Sequence, residues 1–142
     1  MGRINLGRLI AAGLLAGLIL NIGEAGLHAG VLGQAGVDAY KALGREAPHG
    51  ASFLVMLLAM TFVQGILAMW LYAAIRPRLG PGPKTAVCAG LAVWFLSSVY
   101  AAVYLHAGLP GLLPAGLVWL PVAWQLVEFP LAALAGAAVY KE

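Results

Sequence analysis

The stretch from Ala51 to Ile75 contains no Asp, Glu, Lys or Arg. As a helix rising 1.5 Å per residue it would be about 37 Å long, more than the roughly 30 Å hydrocarbon core of a bilayer. A run this long and apolar constrains the chain more than anything else in it. In lipid the backbone polar groups must be satisfied within the structure, and the segment is too long and continuous for a barrel strand, which leaves a helix. Three more apolar stretches repeat the pattern, so helices are expected over 7–29, 51–75, 85–107 and 115–140. With 63% hydrophobic and 9% charged residues and a mean hydropathy of +0.94, the whole chain, 1–142, reads as a single all-α integral membrane domain, a four-helix transmembrane bundle.

The breaks are marked by glycine and proline. Gly80, Pro81, Gly82 and Pro83 close a tight basic turn that begins at Arg76, and GLPGLLP at 108–114 separates the third and fourth helices. The connection from Gly30 to Gly50 is the longest and contains VDAYKALGRE, expected as a short interfacial helix, with Pro48 and His49 in the loop before the second span. Arg3 and Arg8 ahead of Leu9–Leu20 resemble the start of a signal peptide, but the apolar pattern runs on to Leu32, which favours a retained first helix.

Charge sets the expected orientation. Arg3, Arg8, Arg76, Arg78, Lys84 and Lys141 fall on one side of a four-helix arrangement, against Lys41 and Arg45 on the other. The positive-inside rule then puts both termini and the Arg76–Lys84 turn in the cytoplasm, in a bacterial inner membrane, with Arg76, Arg78 and Lys84 facing lipid headgroups. This topology accounts for the formal charge of +3, so nucleic acid is not an expected partner; membrane lipids are. Trp70, Tyr72 and Trp119 read as interface anchors. Cys88, the sole cysteine, excludes an internal disulfide and any multi-cysteine metal site.

Two hairpins of like orientation can be laid beside each other. LHAG occurs at 27–30 and at 105–108, and VQGILA at 63–68 aligns with VEFPLA at 127–132, placing Gln64 opposite Glu128. A parallel repeat would relate its halves through an axis along the membrane normal, with a site between them.

The polar residues inside the spans carry what chemistry the chain has. Asn21, Glu24 and His28 fall on one stripe of the first helix, with Gly13 and Gly17 broadly on the same side. Gln125 and Glu128 share a side of the fourth helix, between Pro121 and Pro130, and Gln64 lies mid-way along the second. An ionisable residue at membrane depth is a functional-site candidate by default. Three readings stay open. Glu24 and Glu128, with Asn21, Gln64 and Gln125, form a buried polar, proton or ion site. His28 and His106, alone or with Glu24, ligate a haem or a metal. Or the polar groups fasten helices or a partner subunit together by hydrogen bonds. Gly13, Gly17 and Gly90 are expected at close helix crossings. Ser97, Ser98, Tyr100 and Tyr104 add polarity to the third helix.

GRLIAAGLLAGLILNIGE and WLYAAIRPRLGPGPKTA resemble a group of small uncharacterised bacterial four-helix membrane proteins, over nearly the whole chain. The resemblance implies an inner-membrane protein and transfers no catalytic residue. With short loops, no phosphate-binding glycine loop and no nucleophile triad, the leading expectation is a noncatalytic accessory or structural subunit, in a homo-oligomer or a larger membrane complex. The alternatives are an oligomeric proton or cation channel or transporter, and a haem- or quinone-associated electron-transfer subunit.

Overall fold

A computed structural model describes residues 4–140. Arg3 and Lys141, which enter the charge argument, lie outside the described residues. Within them the chain is all-helical, without strands, and has four helices long and apolar enough to cross a membrane: Leu6–Ala42, Ala51–Leu79, Pro83–Gly108 and Ala115–Val139.

The first is α1 (Leu6–Leu27), a π-helical turn over His28–Leu32, and α2 (Gly33–Ala42) in one continuous run. Asn5 caps it, its side chain accepting from the Arg8 amide at 3.1 Å. The sequence suggested an end near residue 29 and a separate short helix after it. Instead the wider π-turn carries the helix through Gly30 and Gly33, and α2 is held by a Gln34–Asp38 hydrogen bond of 2.9 Å one turn apart. The second span is α3 (Ala51–Leu79). It continues through Arg76–Leu79, so the turn is confined to Gly80–Gly82. Gly80 and Gly82 take φ of 82° and 142°, a region side chains avoid, and Pro83 begins α4 (Pro83–Trp94) at a position where its missing N–H costs nothing. The Thr85 hydroxyl ties the turn down by donating to Gly80 O at 2.7 Å. The third span proceeds through a π-turn (Phe95–Val99), α5 (Tyr100–Val103) and a second π-turn (Tyr104–Gly108); α6 (Ala115–Val139) is the fourth. Ser97 donates to Val93 O at 2.7 Å inside the first of these π-turns, competing with the backbone ladder.

The helices run alternately up and down. α1 packs most extensively on α3, α4 on α6, and α1 on α6 closes the ring. The core gathers at the end that carries the Gly80–Gly82 turn, where Leu9, Tyr72, Ala86 and Tyr140 are buried together. Tyr72 is therefore a core residue rather than an interface anchor: its ring meets Tyr140 edge-on at 6.0 Å and its hydroxyl accepts from the Gly82 amide at 3.4 Å. Arg76, expected among headgroups, is half-buried, with its guanidinium 5.7 Å over the Tyr140 ring. Arg78 and Lys84 are exposed, as expected of headgroup contacts.

Glycines set the crossings. Gly65 on α3 sits against the backbone of Gly13 and Gly17 on α1, leaving no room for a Cβ; Gly90 meets Phe129 O and Pro130 on α6, and Gly136 meets Ala12 O. At the opposite end the bundle opens. Val55, Met56, Leu57 and Leu58 are 63, 53, 44 and 39% exposed. Four consecutive helical residues point to four sides, so this half of α3 is uncovered all round.

Candidate functional site

The polar residues of α1 lie along a seam between α3 and α6. The glycine crossing brings α3 close enough for Thr61 to reach Asn21: its hydroxyl lies 3.0 Å from Asn21 Oδ1 and 2.6 Å from Leu57 O, and donates to either. Asn21 in turn donates from Nδ2 to Gly17 O at 2.9 Å. Nearly a turn further, at Glu24, the stripe faces α6. Gln125 donates its side-chain amide to Glu24 Oε1 in a short hydrogen bond.

His28 completes this side. Its Nδ1 is 2.9 Å from Glu24 O and 3.4 Å from Glu24 Oε2. A carbonyl oxygen only accepts, so Nδ1 carries a proton in this geometry and Nε2 is left for another partner. Glu24 thus holds Gln125 on one oxygen and faces His28 with the other. The stripe read from the sequence is real, but it is divided: Asn21 serves the α1–α3 contact, and Glu24 with His28 serves the α1–α6 contact.

Glu128 sits three residues beyond Gln125 on α6 and enters the same crossing. Its carboxyl lies against Gly23, where any Cβ would overlap it. The residue is 7% exposed, and both carboxyl oxygens are buried with no hydrogen-bond partner among the described residues. Glu24 and Glu128 therefore enter the same α1–α6 crossing, Glu24 held by Gln125 and Glu128 admitted by Gly23. A carboxyl buried without a partner is costly, much more so as an anion.

Other expected members fall elsewhere. Gln64 is half-buried on α3 and makes no side-chain hydrogen bond among the described residues; Thr61 takes the place expected of it. His106 stacks edge-on with Trp119 at 5.8 Å, while His28 is engaged with Glu24. Among the described residues no three His, Cys, Asp or Glu side chains gather as a metal-binding group, which removes the arrangement of Glu24, His28 and His106 around one metal. Trp94 donates from Nε1 to Val122 O at 2.9 Å, one residue past Pro121, and so joins the third span to α6 near the proline-bearing segment. Cys88 is a free, exposed thiol.

Thr61, Gly23 and Gly65 were missed by sequence reasoning. Gly65 stands one turn beyond Thr61 and opposes Gly17, so the register of the α1–α3 pair would have pointed to those two; Gly23 faces Glu128 on α6 instead.

Comparison with protein-family models, curated proteins and solved structures finds no match. The resemblance drawn from GRLIAAGLLAGLILNIGE and WLYAAIRPRLGPGPKTA rests on those residues alone.

Proposed function

We propose that this chain is a noncatalytic integral-membrane subunit that works in an assembly, with itself or within a larger membrane complex. The observation that carries the reading is the uncovered half of α3. Residues 51–60 are exposed apart from a half-buried Phe53, on every side of the helix. A helix in a finished bundle buries one face against its neighbours. Lipid can solvate such a segment, and a second helix laid against Ala51, Ser52 and Ala59 would approach closely and add packing. The opposite end of the molecule is closed by Tyr72, Tyr140 and Arg76, so the two ends differ in kind.

In this reading the protein lies in a bacterial inner membrane with the Gly80–Gly82 turn and both described ends of the chain in the cytoplasm, consistent with Arg8, Arg78 and Lys84 at that end. The two hairpins, α1 with α3 and α4 with α6, enter in the same sense, and the paired LHAG segments support their relation: each overlaps a π-turn, at His28–Leu32 and Tyr104–Gly108. The Asn21–Thr61 and Glu24–Gln125 bonds lock α1 between α3 and α6.

The test is native mass spectrometry of the gently extracted protein, joined to cross-linking from Met56→Cys in a Cys88→Ser background. A second copy or a stable partner, cross-linked through position 56, is the expected result. A bare monomer that forms no cross-link in the membrane would overturn the proposal.

A further inference from the structure

A cleft of about 600 Å³ opens between α1 and α6. Its walls are Ile19 and Ile22 from α1 and Leu120, Trp124 and Leu131 from α6, and Glu128 is the one ionisable side chain that lines it. A second cleft, of about 370 Å³ between the end of α2 and Gly111–Pro114, has no ionisable side chain in its lining.

We infer that the α1–α6 cleft binds a small amphiphilic organic cation, an ammonium carried on an aromatic or short aliphatic body. The volume falls within the range of roughly 300–1,000 Å³ typical of small-molecule sites, and such sites are apolar with a few placed polar groups. Here the placed group is the carboxyl of Glu128, a residue only 7% exposed, with neither oxygen hydrogen-bonded among the described residues.

No side chain hydrogen-bonds to that carboxyl among the described residues. The Gln125 amide is spent on Glu24, and His28 Nδ1 on Glu24 O. α6 contains no Lys or Arg, and α1 has none beyond Arg8. Two carboxyls and one imidazole meet at this crossing with no lysine or arginine beside them on either helix, so the cleft favours a cation over an anion. Trp124, on the wall, presents an indole to which a cation is attracted.

Other cations fit less well. A bare metal ion requires several oxygen ligands, and this cleft offers one carboxyl. Glu128 lies near the middle of the 25-residue α6, about 20 Å from its start at 1.5 Å per residue. A phospholipid headgroup amine stays at the membrane surface and does not reach that depth. Gly23 matters to the ligand as well as to the fold: it keeps the carboxyl tucked against α1, so the apolar body has the rest of the cleft. This inference does not depend on the assembly proposed above.

Phenylbutylammonium and the neutral phenylbutanol are the probes. Each is titrated into the full-length protein in phosphatidylcholine nanodiscs, with empty nanodiscs subtracted, and followed by tryptophan fluorescence and saturation-transfer NMR. The ammonium is expected to bind saturably and at least about tenfold more tightly than the alcohol, the difference a charge-assisted hydrogen bond makes. Glu128→Gln should bring the two within about threefold of each other. Ile22→Trp fills the cleft while leaving Glu128 in place, and should abolish saturable binding of both. Equal affinities in the unaltered protein, no saturable binding of either probe, or a preference that survives in Glu128→Gln would each overturn the inference. If Glu128→Gln does not fold, the comparison of the two probes and the Ile22→Trp variant decide it. A second copy of the chain covering the cleft would show as absent binding in a dimeric sample, and counts against it.

Discussion

Gln125 on α6 donates its side-chain amide to Glu24 Oε1 on α1, closing a contact between residues 101 positions apart in the chain. The bond joins the first and last helices of the bundle. Its partners are half-buried, where water competes less for the amide than at an exposed surface.

Removing that bond should loosen α1 from α6 without unfolding either helix. Gln125→Leu is expected to cost about 0.6–2 kcal/mol, the range of interhelical hydrogen bonds in membranes. Glu24→Gln can still accept from Gln125 and should cost less than Glu24→Leu. Equilibrium unfolding in mixed micelles measures each variant, and the double variant Gln125→Leu with Glu24→Leu should cost less than the sum of its parts. Strict additivity would show that the two side chains do not interact.

At the α1–α3 crossing, Gly65→Ala would drive a Cβ into the backbone of Gly13 and Gly17. Backbone cannot step aside as a flexible side chain can, so the substitution should destabilise by about 1–3 kcal/mol or splay the helices. Gly116 on α6 has nothing within 4 Å of the same added atom, and Gly116→Ala should stay within about 0.5 kcal/mol of the unaltered protein. The same micelle unfolding assay reads both. Equal tolerance at the two positions would mean that the α1–α3 contact is not as close as described.

The asymmetry between Thr61 and Gln64 supplies a further comparison. Thr61 reaches Asn21, whereas Gln64, the more polar residue, makes no side-chain hydrogen bond among the described residues. Thr61→Val keeps the shape and removes the hydroxyl, and should cost about 0.5–1.5 kcal/mol. Gln64→Leu should change stability by less than about 0.5 kcal/mol. A larger loss at Gln64 in purified protein would contradict the arrangement. A loss seen only in the native membrane would instead mark Gln64 as a partner contact.

These two residues also show what the sequence could and could not reveal. The four long apolar helices were legible because length and the scarcity of charge decide them, and Gly80 to Pro83 could only be a break. The polar stripe of Asn21, Glu24 and His28 was legible from helical spacing. Its division between two neighbours was not, since spacing on one helix says nothing of which helix stands on each side. Thr61 escaped notice because a threonine bonding Leu57 O in its own helix looks like an ordinary membrane residue. The reach of the first helix to Ala42 was hidden by Gly30, Gly33 and Gly36, which read as breakers until the π-turn is seen. Tyr72 and Arg76 were placed at the surface by the usual preferences of their types, and tertiary packing against Tyr140 overrode them.

Gly23 and Glu128 offer the most direct test of the site's geometry. A Cβ at position 23 would overlap the Glu128 carboxyl and force it out of the crossing toward the adjoining cleft. Gly23→Ala should therefore destabilise by about 1–3 kcal/mol despite the better helix propensity of alanine. Glu128→Ala removes the obstructing atoms. In that background Gly23→Ala should become neutral or stabilising, by up to about 1 kcal/mol, because only the propensity gain remains. The coupling between the two substitutions is then at least about 1 kcal/mol, well outside the few tenths expected for independent sites. Crowding gives this sign: Gly23→Ala is harmful while the carboxyl stands beside it, and removing the carboxyl relieves that harm. If Gly23→Ala costs the same in both backgrounds, the carboxyl does not occupy the space beside Gly23, and the site joining Glu24 to Glu128 would have to be redrawn.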